Sequence, residues 1–152
     1  MTTTHPRLTP GHIGLNVTDL ERSVDFYRHT LGFEQLRLDS QGDRKFAFLG
    51  LDGELRLTLW QQSDGEFSAS TPGLHHLALL VDTIEQVRTV EMALKNMGVT
   101  FAYDGVVAHG EGMTSGGIFF SDPDGIRLEV YTLNGAEAEP SPHGADPSCG
   151  FF

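Results

Sequence analysis

Residues 12–33, HIGLNVTDLERSVDFYRHTLGF, and residues 76–99, HLALLVDTIEQVRTVEMALKNMGV, follow one pattern twice. Each opens on a histidine, alternates apolar residues over the length of a strand, and continues into an amphipathic helical stretch that ends on glycine and an apolar residue. Thr18 with Glu21, and Thr83 with Gln86, have the spacing of a capping box at a helix start. Gly32 and Gly98 stand where helices stop. Three further candidate strands follow each helix: FEQLRLDS, RKFAFLG and ELRLTLWQQ in the first half, VTFAYDG, SGGIFFSD and GIRLEVYTL in the second. Each half therefore reads βαβββ.

Working outward, the repeat sets the domain organisation. Residues 1–62 form the first module, the Ser- and Gly-rich stretch 63–73 a linker, 74–133 the second module, and 134–152 a flexible C-terminal tail. One βαβββ unit has little to cover its apolar sheet face. The expected fold is α+β, with two paired modules forming one curved mixed sheet around a cleft, helices outside. Equivalent strands then bring the two histidines to one cleft. The sequence leaves open whether modules pair within a chain or between two chains.

Bulk properties limit the partners. With 152 residues, 39% of them hydrophobic, the chain can build a real core. Ten Lys and Arg against 21 Asp and Glu give a net charge of −11, which repels nucleic acid backbones. No apolar run approaches the ~18 residues of a membrane span. Cys149, the single cysteine, has no partner for an internal disulfide. The expectation is a cytoplasmic protein with a small-molecule substrate, assembled as a homodimer, with neither nucleic acid nor membrane as partner.

In DPDGIRLEVYT, Ile126, Leu128 and Val130 alternate with Arg127, Glu129 and Tyr131. The apolar set belongs on the covered side, which turns Glu129 and Tyr131 towards the cleft. A carboxylate amid such neighbours needs a cation or a proton. His12, His76 and Glu129 would make a two-histidine, one-carboxylate set with open positions for substrate or oxygen. His75 points the other way by alternation and reads as a surface residue or one that supports His76. Arg56 and Arg127 read as solvated surface. Phe46, Phe48 and Trp60 read as core or pocket wall. His109, in the glycine-rich HGEGMTSGG, is either part of a mobile loop or an acid/base at the cleft mouth.

On HIGLNVTDLERSVDFYRHTLGF, GLHHLALLVDT and DPDGIRLEVY, about residues 9–133, the chain resembles the vicinal oxygen chelate superfamily, which spans glyoxalase I, extradiol dioxygenases, fosfomycin-resistance enzymes and bleomycin-binding proteins. That resemblance implies paired βαβββ modules, with metal ligands at the start of each first strand and within each last strand. His12, His76 and Glu129 then fall on three ligand positions. The fourth falls on Thr58 by strand phase or on Leu57 by the preceding Asp-Gly. Neither is an ordinary ligand, which argues against lactoylglutathione isomerase chemistry and for a three-ligand, dioxygenase-like enzyme. Fe(II) is the first choice of metal, ahead of Zn, Ni, Mn or Mg. His109 takes the place of a catalytic histidine, while Phe48, Thr58, Trp60, Phe119 and Tyr131 form the pocket. Phe119 stands where extradiol enzymes resemble one another in carrying tyrosine. The competing functions are a metal-dependent isomerase, lyase or thiol transferase, and a non-enzymatic drug-binding protein. Phe151 and Phe152 are the part of the tail suited to dock on an apolar groove.

Overall fold

A computed structural model describes residues 4–152. The elements run β1 (Ile13–Val17), α1 (Leu20–Leu31), β2 (Glu34–Asp39), β3 (Phe46–Leu51), β4 (Glu54–Gln61), β5 (Leu77–Leu80), α2 (Ile84–Asn96), β6 (Val107–Ala108), β7 (Gly116–Ser121) and β8 (Arg127–Thr132), with a 3-10 turn at Ser148–Gly150. The strands form two four-stranded mixed sheets of identical topology, β1-β4-β3-β2 and β5-β8-β7-β6. In each, the first strand lies parallel to the last, and the remaining pairings are antiparallel. The fold is thus α+β with two βαβββ modules. Chain contacts divide into two compact units, one formed largely by residues up to Ser63, the other by Asp64–Phe152. Among the described residues no helix is long and apolar enough to cross a membrane.

In the first unit Leu15 and Val17 of β1, Leu57 and Leu59 of β4 and Val24 and Tyr27 of α1 are buried. The cap of α1 is one residue later than the capping-box spacing implies: Asp19, not Thr18, accepts the Arg22 backbone N–H at 3.1 Å. Thr18 instead donates to Ser63 Oγ at 3.1 Å. Gly32 closes α1 at φ 75°, a left-handed conformation in which its N–H returns to the carbonyls of Tyr27 and Arg28.

In the second unit Thr83 and Gln86 form the reciprocal capping box of α2. Removing it with Thr83→Ala is expected to cost about 1 kcal/mol, measured as a lower denaturation midpoint at unchanged m-value. Ile118 and Phe120 of β7 pair with Val130 and Leu128 of β8. All four are buried, on the face that meets α2: Phe120 touches Phe101, which lies beneath Lys95 of α2.

Two expectations are corrected here. Residues 99–105 do not form a strand; Phe101 makes only an isolated bridge to Phe120, and the edge strand is Val107–Ala108. Gly105 at φ 78° turns the chain before a longer ladder can form. The segment 134–152 is packed, not free. Ala136 N–H donates to Thr114 O (2.9 Å), Ala108 N–H to Pro140 O (2.8 Å), Glu111 N–H to Gly144 O (2.9 Å) and Ser148 N–H to His109 O (2.9 Å). Its proline, glycine and serine residues give it no helical or strand period, yet its turns supply partners to backbone groups of the short β6 edge. Ala136 and Ser148 are fully buried, small enough to let this backbone approach.

Candidate functional site

The opposite face of the β7–β8 pair carries the candidate site. Phe119 pairs with Glu129 and Gly117 with Tyr131, so these side-chain positions share the face away from α2. The turn DPDG sets β8 in place. The buried Asp122 carboxylate accepts the backbone N–H groups of Asp124 and Ile126, each at 2.9 Å, and Gly125 turns at φ 83°.

Glu129 is 3% exposed, so its charge must be met by groups within the protein. Its Oε2 lies 2.6 Å from His109 Nε2, and its Oε1 lies 3.8 Å from His76 Nε2. An ionised carboxylate only accepts, which puts a proton on His109 Nε2. The 3.8 Å separation is beyond hydrogen-bond reach, and it leaves an imidazole nitrogen and a carboxylate oxygen directed at a common space.

Each histidine is oriented by a second group. His109 Nδ1 lies 2.8 Å from Ser115 Oγ, and His109 N–H donates to Ser115 O at 2.9 Å. His76 Nδ1 lies 2.8 Å from His75 Nδ1, so one proton is shared between the two rings. Burial, ahead of the neighbouring charges, holds the His76 pKa below the ordinary histidine value. With His76 Nδ1 as the donor of that pair, a neutral ring presents its Nε2 lone pair, the state in which imidazole ligates metals.

Each expected site residue has a definite place. His76, His109, Glu129, Phe119 and Tyr131 come together in the second unit, where the Tyr131 and His109 ring centroids are 5.2 Å apart and those of His109 and Phe119 6.2 Å. Phe48, Thr58 and Trp60 come together in the first unit: Trp60 Nε1 donates to Thr58 Oγ1 at 2.9 Å, and Phe48 and Trp60 rings meet at 6.1 Å. Phe46 stacks on Trp60 at 5.3 Å. His12 is exposed and precedes β1 of the first unit. Among the described residues no group of three or more His, Cys, Asp or Glu is arranged to hold a metal ion; the second unit supplies the pair His76 and Glu129.

Strand register resolves the choice between Thr58 and Leu57. Two residues after His76, Ala78 pairs with Glu129; two residues after His12, Gly14 pairs with Thr58. Thr58 is therefore the counterpart of Glu129.

Beside the candidate site stand Ser115, which sequence reasoning missed, Arg127, which it read as surface, and Phe152, which it marked for docking without placing it. Five residues of loop lie between His109 and Ser115, and no periodicity connects them. Arg127 is not plain solvated surface. Its Nε donates to His75 O at 2.9 Å and its Nη1 to Phe152 O at 2.8 Å. The odd aromatic pair ending CGFF was the available signal for Phe152. Arg56, by contrast, pairs with Glu54 on the exposed surface.

The glyoxalase/bleomycin resistance protein/dioxygenase superfamily profile matches residues 9–130. A catechol-2,3-dioxygenase of Bacillus subtilis is 29% identical over 134 residues, which are 86% of this chain and 44% of that protein, so the chain spans less than half of that relative's length. A lactoylglutathione lyase of Escherichia coli O157:H7 is 32% identical over 127 residues, 78% of this chain and 88% of that one. The crystal structure of a glyoxylase/bleomycin resistance protein/dioxygenase domain from Frankia sp. EAN1pec aligns with a TM-score of 0.71 at 25% identity, over 86% of this chain and 100% of that chain.

Proposed function

The chain belongs to the glyoxalase/bleomycin resistance protein/dioxygenase superfamily, and on that premise we propose that it is a metal-dependent enzyme of dioxygenase-like chemistry, acting on a small substrate with two neighbouring oxygens. The observation that carries this reading is the buried Glu129 carboxylate facing the His76 Nε2 lone pair at 3.8 Å. An imidazole nitrogen and a carboxylate oxygen facing one space have the chemistry that fits a divalent ion. His76 and Glu129 would hold it, and His12, exposed ahead of β1, is the third residue of the set read from the sequence. Fe(II) suits a two-histidine, one-carboxylate set, and when bound it supplies Lewis-acid and redox chemistry to the substrate oxygens.

The protein's own groups do the rest. His75 holds the His76 ring so that Nε2 faces Glu129. His109, held at Nε2 by Glu129 and at Nδ1 by Ser115, is the residue we assign as the site's acid/base. Phe119, fully buried beside His109, walls the site with an apolar ring and excludes water.

Thr58 favours this chemistry over that of the lactoylglutathione lyase relative. It stands at the register position that mirrors Glu129, and its hydroxyl is engaged by Trp60. A neutral hydroxyl is a poor fourth ligand and a poor proton carrier near neutral pH. Phe119 favours the second reading, an isomerase, lyase or thiol transferase that uses the same metal without oxygen, because phenylalanine has no hydroxyl to offer a catecholate.

Metal analysis of untagged protein, followed by oxygen uptake on a panel of catechols, tests the proposal. Iron retained with oxygen consumed supports it. The Phe119→Tyr variant is expected to raise catechol cleavage by about 100-fold, the lower end of what a positioned proton-transfer group contributes. Iron bound with no oxygen uptake by either protein would move the assignment to the isomerase or transferase class.

A further inference from the structure

Phe152 is held as a ligand would be. Its ring centroid lies 4.8 Å from that of Phe119, 5.6 Å from His76 and 6.4 Å from His75. Its carbonyl oxygen accepts a hydrogen bond from Arg127 Nη1 at 2.8 Å, while the Arg127 guanidinium stands 5.6 Å from the same ring. Arg127 is itself braced, by Nε on the His75 carbonyl at 2.9 Å and by the Phe67 ring at 5.8 Å. A single cation, tied to the backbone beside His76, thus contacts both ends of Phe152: an aromatic ring and an oxygen acceptor.

The anchoring of the segment lies elsewhere. Ser148 is fully buried; its Oγ donates to Ala108 O at 2.7 Å, its N–H to His109 O at 2.9 Å, and its carbonyl accepts the Tyr103 hydroxyl at 2.8 Å. Burial raises the Tyr103 pKa, which keeps that hydroxyl a donor. Past this anchor the chain exposes Phe151 and lays Phe152 against the histidine pair. Phe152 can therefore leave while the segment stays attached.

We propose that Phe152 is an internal occupant of the substrate position beside His76, and that this position takes 3-arylpropanoate-type acids, compounds carrying an aromatic ring and a carboxylate on a two-carbon arm. In phenylalanine the ring and the carbonyl carbon are separated by the same two carbons, Cβ and Cα. Such an acid would place its ring against Phe119 and His76 and its carboxylate on Arg127. The free acid offers Arg127 a charge-assisted bond and offers Phe119 and His76 the same ring contact, so it competes with the tethered ring for the position. Occupation by Phe152 lowers the apparent affinity in proportion to the fraction of molecules in which the position is open. The inference rests on the reading of His76 as part of the substrate site.

Calorimetric titration of the metal-free full chain with 3-phenylpropanoate tests it. Deletion of residues 151–152 and the Phe152→Ala variant, both of which leave the Ser148 anchor intact, are each expected to bind the probe about 10-fold more tightly. Adding Arg127→Gln to the shortened chain is expected to abolish that gain, and the uncharged 3-phenylpropanamide to show a smaller one. Unchanged or weaker binding by both variants, or a gain that survives Arg127→Gln, overturns the proposal. Metal uptake by the same chains, measured on portions from which metal has not been stripped, separates the two assignments. Full metal content without an affinity shift overturns the occupant alone, whereas the shift in a chain that binds no metal overturns the metal reading alone.

Discussion

His76→Ala is expected to lower the affinity for a divalent metal by more than about 100-fold, beyond the ~10–100-fold range that loss of a supporting group produces. The imidazole Nε2 that faces Glu129 Oε1 at 3.8 Å disappears, and the remaining buried carboxylate is left to His109. His75→Ala provides the contrast. Its ring is exposed and does not face Glu129, but it supplies the Nδ1 partner of His76 at 2.8 Å. Removing it leaves the ligand free to rotate, so a loss of about 10-fold is expected. Metal content by elemental analysis and chelator competition reads both. Full retention of metal in His76→Ala would remove it from the ligand set, and equal losses would give His75 a ligand's role.

Gly117→Ala is expected to destabilise the second unit by about 3 kcal/mol, the upper part of the usual range for overpacking, and to lower the melting temperature by about 10 °C. A Cβ at Gly117 would lie 2.1 Å from Val130 O and 2.7 Å from Tyr131 Cα. Both are backbone atoms of β8, unable to rotate aside as a side chain does. Relief requires β7 and β8 to separate where Phe119 pairs with Glu129, so the candidate site would loosen together with the fold. Gly65→Ala is the control, because its added Cβ meets nothing within 4 Å and its φ is ordinary. Thermal unfolding of the two variants checks the contrast; a Gly117→Ala protein as stable as the control would mean that the strands pair more loosely than described.

These two experiments probe different kinds of information in the chain. That Glu129 faces inward at all follows from IRLEVY, where alternation must bury Leu128 and Val130 on the helix side and therefore turns Glu129 to the other. That Gly117 must be glycine does not follow from SGGIFFSD, which reads only as a strand; the closeness of β8 excludes a side chain there.

The sequence by itself determined the two βαβββ modules, the capping box of α2 and the left-handed end of α1, and it singled out His76, His109 and Glu129. These depend on periodicity and on cap residues within a few positions of one another, so each is written locally. Tertiary structure alone decided the rest. Thr58, not Leu57, mirrors Glu129 because register is set between strands, with a bulge at Leu49–Gly50 that no single strand records. Ser115 orients His109, and the 134–152 segment folds onto β6 and lays Phe152 against His76, through backbone groups that find partners far away in sequence. Such pairings depend on which edges and carbonyls remain unpaired once the sheets have formed, and composition carries no trace of that.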